Sequence, residues 1–228
     1  MLELFWEVKM RRYVELINKS IGAALLISLG NFALLKLSNP IGPVIFSLGL
    51  LGVCYMGLNL FTGKCGFLIQ DKIKITDLLL ILVFNLIGGY LFGLVFSVID
   101  STVFENALIK VDTWSFSLAF FIKSILCGII MYIAVYMYRK GTPLGILFGI
   151  PLFIFCGFQH CIANIITLGV ARTFSWTITI CILGNFLGSL FMWYLSREIE
   201  QPVITVKKAK ENSVSRKSLS TKSIKAKK

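Results

Sequence analysis

The sequence is short of charge. Asp, Glu, Lys and Arg make up 15% of its 228 residues, against ~25% in an ordinary soluble domain. So few charges cannot cover a water-facing surface, which excludes a soluble enzyme, a secreted disulfide-bonded domain and a disordered chain. Histidine occurs once, at His160, and Asp and Glu together number 11. The apolar stretches hold almost no carboxylates, and there is no CxxC pair, nucleophile–base pair, phosphate loop or dinucleotide fingerprint. The expectation is a protein that is not an enzyme and carries neither metal nor cofactor.

Apolar residues are what is there. They form 57% of the chain, and the mean hydropathy is +0.83. Continuous runs cover Ile21–Leu37, Ile41–Leu60 with a continuation to Ile69, Leu78–Ile99, Trp114–Tyr138, Leu144–Gly169 and Phe174–Leu195. A membrane-crossing helix needs ~20 such residues, and barrel strands would alternate with period two instead. The fold class is therefore an all-α, multi-pass membrane protein with six transmembrane helices. Residues 1–20 read as an N-terminal interfacial segment without a cleavable leader pattern. Residues 21–196 read as the transmembrane domain and 197–228 as a basic, disordered tail. Cysteines in the runs, such as Cys54, Cys127, Cys156, Cys161 and Cys181, read as small apolar residues rather than disulfide partners.

The formal net charge is +12, and its placement sets orientation. Lys9, Arg11, Arg12, Lys19, Lys72, Lys74, Arg139, Lys140 and the tail fall on one side of the alternating loops. Lys36, Lys110 and Arg172 fall on the other. Both termini are thus expected in the cytoplasm, with the protein in the cell membrane. The positive charge is spread over loops and tail, so no nucleic-acid partner is expected; the partner is the lipid bilayer.

The sequence repeats at an offset of 100. Pro43, Gly49, Gly57, Asn85 and Gly88 fall on Pro143, Gly149, Gly157, Asn185 and Gly188. The repeats, about 21–99 and 114–195, hold three spans each, so the second is inverted in the membrane. Inverted repeats carry their binding site near the midplane, where the halves meet. The second run, Ile41–Ile69, would be ~43 Å long as one helix, too long for a ~30 Å hydrocarbon core. Its middle, residues 59–66, is polar and Gly-rich, as is the matching stretch 157–164 of the fifth run. Spans 2 and 5 are therefore expected to be interrupted, and freed backbone groups at that depth must line a cavity or be buried in protein.

The residues at these breaks have plain readings too. His160 alone reads as readily as a satisfied buried polar side chain as a pore group. A Thr62 hydroxyl can simply bond back to its own helix. Aromatics at helical spacing are usually core or lipid-facing, and Lys123 has the position of a side chain that reaches to the interface. Asn85 and Asn185 suit bonding across helices.

Phe46-Ser47-Leu48-Gly49-Leu50, followed by Gly57-Leu58-Asn59-Leu60-Phe61-Thr62-Gly63, resembles the second-span signature of the formate/nitrite transporter family. There the Phe-Thr-Gly lies in the loop that breaks the helix. Residues 156–164, Cys156 to Asn164 around His160, are similar to the fifth-span signature with its central histidine. Gly184-Asn185 with Gly188 matches the sixth span, and Ser124 to Cys127 with Ala134-Val135 the fourth. The resemblance spans roughly residues 15–196. It implies an aquaporin-like pore with helices 2 and 5 interrupted, assembled as a homopentamer. The implied cargo is a small monovalent weak-acid anion, such as formate, nitrite or hydrosulfide, moving with a proton. It further implies a pore centre at His160 and Thr62. Two apolar constrictions would be drawn from Phe46, Leu50, Leu60, Phe61, Met131 and Phe153. Lys110 or Lys123 would attract the anion at a vestibule, and Gly57, Gly63, Gly157, Asn164, Asn85 and Asn185 would support the broken helices. The sequence departs from the family pattern at Asn59, Lys64, Gln159 and Gly128, where Glu, Asn, Glu and Asn are usual. That pattern suits a divergent branch, a hydrosulfide type among them.

The alternative function is an aquaporin-like pore for water or small neutral solutes, hinted at by Asn39-Pro40.

Overall fold

A computed structural model describes residues 2–37 and 39–197, and the regular elements among them are all helical. They are α1 (Leu2–Leu37), α2 (Ile41–Tyr55), α3 (Phe61–Lys64), α4 (Ile75–Ile99), α5 (Ser101–Asp112), α6 (Leu118–Arg139), α7 (Leu144–Phe155), α8 (Cys161–Val170) and α9 (Thr177–Ser196), with a 3₁₀ turn, Cys65–Phe67, after α3. The tail read from composition as disordered lies, beyond Arg197, outside the described residues.

Four helices among the described residues are long and apolar enough to cross a membrane: α1 from Trp6, α4, α6 and α9. Their outward faces are apolar. Leu79, Val83, Ile87, Leu91 and Val95 form an i, i+4 row along α4, each about half exposed. Such a row is costly in water and suits lipid or a partner surface. The chain is an all-helical, polytopic membrane protein.

Residues 2–20 continue into the first apolar run as one helix, with no Pro to interrupt it. Lys19 pairs with Glu15 one turn earlier at 2.6 Å, and Arg12 pairs with Asp77 at the start of α4.

Both apolar runs expected to break do so, and they break alike. At the end of α2, Gly57 has φ +61°, Gly57 N–H donates to Cys54 O at 3.2 Å and Leu58 N–H to Val53 O at 2.9 Å. At the end of α7, Gly157 has φ +66°, Gly157 N–H donates to Ile154 O at 3.0 Å and Phe158 N–H to Phe153 O at 2.9 Å. This is the Schellman closure, whose left-handed residue favours glycine.

The breaks are shorter than the polar stretches suggest. The chain leaves helix at Met56–Leu60 and Cys156–His160, and is helical again from Phe61 and Cys161. Phe61, Thr62 and Gly63 therefore belong to the first turn of α3, not to a loop. The reason is a cap supplied from another helix: Asn85 Oδ1 on α4 accepts from Phe61 N–H at 2.8 Å, and Asn185 Oδ1 on α9 accepts from Cys161 N–H at 2.8 Å.

Helix α5 was not visible as an apolar run. Asp100 caps it, accepting from Val103 N–H at 3.2 Å, and Val103 and Ala107 turn inward. That short amphipathic helix carries Lys110.

Candidate functional site

Two starts of helices, α3 and α8, meet in the core. A helix start leaves backbone N–H groups without partners, and the two buried asparagines meet that need identically. Asn85 Nδ2 donates to Ser20 O at 2.8 Å and Asn59 O at 3.0 Å, while Asn185 Nδ2 donates to Ser124 O and Gln159 O at 2.8 Å each. Asn59 N–H reaches Lys19 O at 3.2 Å, and Gln159 N–H reaches Lys123 O at 3.3 Å. The two breaks are thus fastened to α1 and α6 by matching bonds. Asn164 Nδ2 adds a bond to Gln159 Oε1 at 2.9 Å.

The likeness ends at one pair of side chains. Leu60 and His160 stand at equivalent cap positions with nearly equal backbone angles, φ −102°, ψ 127° and φ −105°, ψ 116°. Leu60 cannot cap. His160 does: its Nδ1 accepts from Ala163 N–H at 3.1 Å, and its Nε2 lies 2.9 Å from Thr62 Oγ1. Accepting at Nδ1 puts the proton of a neutral ring on Nε2. His160 therefore donates to Thr62, and the Thr62 hydroxyl hydrogen is left to point elsewhere. Both side chains are buried.

Two cavities approach this pair. One, of about 60 Å³, is lined by Leu34, Phe46, Lys110, Phe153, Gln159, His160 and Asn164, among others. The second, of about 210 Å³, is lined by residues that include Leu50, Val53, Leu60, Gly63, Lys64, Val135 and Arg139. Along α2 the lining passes from Phe46 to Cys54, ~12 Å of helix, so the cavities lie toward opposite ends of α2.

Apolar side chains close each approach. Phe153 stacks on the His160 ring with centroids 5.8 Å apart, and Phe46 meets Phe153 edge-on at 6.2 Å. Leu50 and Leu60 line the other cavity, each 1% exposed. Phe61 and Met131 are buried in the core and line neither cavity. Val135, Val53 and Leu34 do line them, yet nothing in the sequence set these apart from other apolar residues. Gly63 lines the larger cavity and has room: a Cβ there would meet Val135 Cγ2 at 3.6 Å.

Of the four basic residues outside the main charge clusters, one is uncommitted beside His160. Lys36 pairs with Asp100 at 2.7 Å, holding that carboxyl below the usual carboxylate range. Arg172 donates to Ser97 Oγ at 2.9 Å and lies over the Phe104 ring. Lys123 is exposed and does not line the cavity. Lys110 does line it, on α5 outside the long apolar helices, and burial pulls its ammonium down to about 8. Asn31 on α1 also bears on the site, donating to Thr167 Oγ1 of α8 at 3.1 Å. All six cysteines are free.

The broken helices, the capped histidine and the paired cavities can be set beside known proteins. A family model described as "Formate/nitrite transporter" matches residues 8–175. The chain belongs to the formate/nitrite transporter family. Among curated proteins it is 27% identical over 187 residues to "Uncharacterized transporter YrhG" of Bacillus subtilis (strain 168), covering 72% of this chain and 68% of that one. Among solved structures, an "FNT family ion channel" matches with a TM-score of 0.66 at 21% identity, over 82% of this chain and 88% of the other. A "Pentameric formate channel with formate bound" matches with a TM-score of 0.66 at 18% identity, over 82% and 94%. At these identities the two structures speak for the fold. The matched family and proteins are described as transporters and channels.

Proposed function

We propose that this family member is a pore for small monovalent weak-acid anions, formate, nitrite or hydrosulfide, which cross together with a proton. The observation that carries the reading is the 2.9 Å bond between His160 and Thr62, placed between two cavities and flanked by apolar side chains.

The chemistry follows from desolvation. A bare anion entering an apolar constriction loses hydration worth several kcal/mol, whereas the neutral acid loses little. Lys110 concentrates the anion in the smaller cavity. The anion takes up a proton from the bulk water that reaches this cavity, and the neutral acid passes Phe46 and Phe153. At the centre the acid meets the Thr62 hydroxyl hydrogen, left free because His160 Nε2–H is donated to Thr62. The acid then passes Leu50 and Leu60 and ionises in the larger cavity. Lys110 in the lining of the smaller cavity favours an anion over the water-pore alternative.

The same reading gives six crossings as a 3+3 inverted repeat, with α2–α3 and α7–α8 as the interrupted second and fifth spans. The matching closures and caps at an offset of 100 support it. Both termini are cytoplasmic in a cell membrane, with the larger cavity, beside Arg139, facing the cytoplasm. The protein works without chemistry of its own as a transporter, and assembles as a homopentamer, as the solved pentameric formate channel does.

A weak-acid competition panel in a liposome flux assay across pH tests the reading. Formate, nitrite and hydrosulfide should each inhibit the flux of the preferred one, and water flux without weak-acid flux would instead support the neutral pore.

A further inference from the structure

The larger cavity has a charge that the repeat does not explain. Lys64 is the counterpart of Asn164 at the offset of 100. Asn164 is committed, with its amide bonded to Gln159 Oε1 at 2.9 Å. Lys64 has no hydrogen bond or ion pair to any other described residue, and it lines the cavity with Leu60, Gly63 and Cys54.

The neighbouring charges leave Lys64 in excess. Arg139 lines the same cavity, but its guanidinium is committed: it pairs with Asp71 at 2.8 Å and lies 4.2 Å over the Phe67 ring. Asp71, which also lies in the lining, pairs with Arg139 and acts on Lys64 only at longer range, so one carboxylate faces two cations there. The remaining titratable lining groups, Cys54 and Tyr138, are neutral at physiological pH. The lining therefore carries one net positive charge, on a side chain with three free N–H donors.

From this placement we infer that Lys64 makes the larger cavity a second anion-holding site, taking the ionised form of the cargo as a carboxylate-sized monovalent anion. The inference rests on the anion-pore reading but concerns a different residue on the opposite side of the His160–Thr62 pair. Lys110 holds the anion at one mouth and Lys64 at the other, so each lysine governs half-saturation from its own side only.

Cys54 gives a readout that needs no transport. It is half-buried in the same lining, and Cys156 is the only exposed cysteine. In the full-length protein carrying Cys156→Ser, a negatively charged and a positively charged methanethiosulfonate of similar size are compared by intact mass. Taking the ratio of the two rates cancels changes in thiol reactivity and leaves the local charge. Lys64→Met should lower the anionic-to-cationic ratio at Cys54 at least fivefold, and Lys64→Arg should keep it. Added formate should slow the anionic reagent in the parent and not in Lys64→Met. In flux assays from each face, Lys64→Met should raise half-saturation by formate severalfold on the Cys54 side only. If Lys64→Met fails to fold, Lys64→Asn, which restores the repeat residue, carries the same expectation. An unchanged ratio, or a Cys54 that neither reagent reaches, overturns the inference. A changed ratio in a protein that moves no weak acid would keep the site and sink the transport reading instead.

Discussion

His160 donates to Thr62. The Nε2–Oγ1 distance is 2.9 Å, and the direction is set at the other side of the ring, where Nδ1 accepts from Ala163 N–H at 3.1 Å. A cap that closes a helix also decides which way a buried hydrogen bond between the two broken runs points. Thr62→Val keeps the shape of the side chain and removes the hydroxyl. Weak-acid flux should fall roughly tenfold, ~1.4 kcal/mol, with folding intact, as checked by liposome uptake against the yield of folded, membrane-inserted protein. Thr62→Ser should keep most of the flux.

Asn185 satisfies three backbone groups with one side chain, at Cys161 N–H, Ser124 O and Gln159 O. Leaving each buried partner unmatched costs ~1–3 kcal/mol. Asn185→Ala should therefore be strongly destabilising, by at least ~3 kcal/mol, seen as a lowered melting temperature of the detergent-solubilised protein. Asn85→Ala should behave alike, because its three bonds are the same. A loss at only one of the two would show that the halves are not mechanically equivalent.

Gly57 and Gly157 hold positive φ in the two closures. Alanine there costs ~1–2 kcal/mol of backbone strain, and neither site is crowded. Gly57→Ala and Gly157→Ala should each lower the melting temperature by a few degrees without abolishing the fold. Gly63→Ala should leave stability almost unchanged and slow flux, since the added methyl group enters the larger cavity.

Lys110 makes flux pH-dependent in a stated direction. Burial pulls its ammonium down to about 8, so the charge is present at pH 6–7 and lost as pH rises toward 9. Formate stays ionised throughout. A unit charge ~4 Å from an anion is worth about 1 kcal/mol even in water, or roughly fivefold in half-saturation. Half-saturation on the Lys110 side should therefore be about fivefold better in the parent than in Lys110→Gln at pH 6.5. The ratio should approach one at pH 9, and a constant ratio would remove Lys110 from the anion's path.

Much of this was legible in the sequence because apolar runs and glycine spacing are local signals. The two interrupted runs and the offset of 100 follow from residues read in order, whereas the pairing of His160 with Thr62 at one centre came with the resemblance to the family. What was not legible depends on distant partners. The short extent of each break is set by Asn85 and Asn185, each 24 residues from the N–H it caps. Helix α5 is too short and too mixed to register as an apolar run, although Asp100 with inward Val103 and Ala107 is a start signal. That Lys110 faces the cavity and Lys123 does not depends on how α5 and α6 pack, which no spacing reveals.

The most direct measurement is acidification of liposomes loaded with a pH dye under an inward formate, nitrite or hydrosulfide gradient. The account expects interior acidification well above empty liposomes for at least one of the three, with a fall of about tenfold in His160→Ala. No acidification above empty liposomes for any of them, in protein that is folded and still passes water, would contradict it.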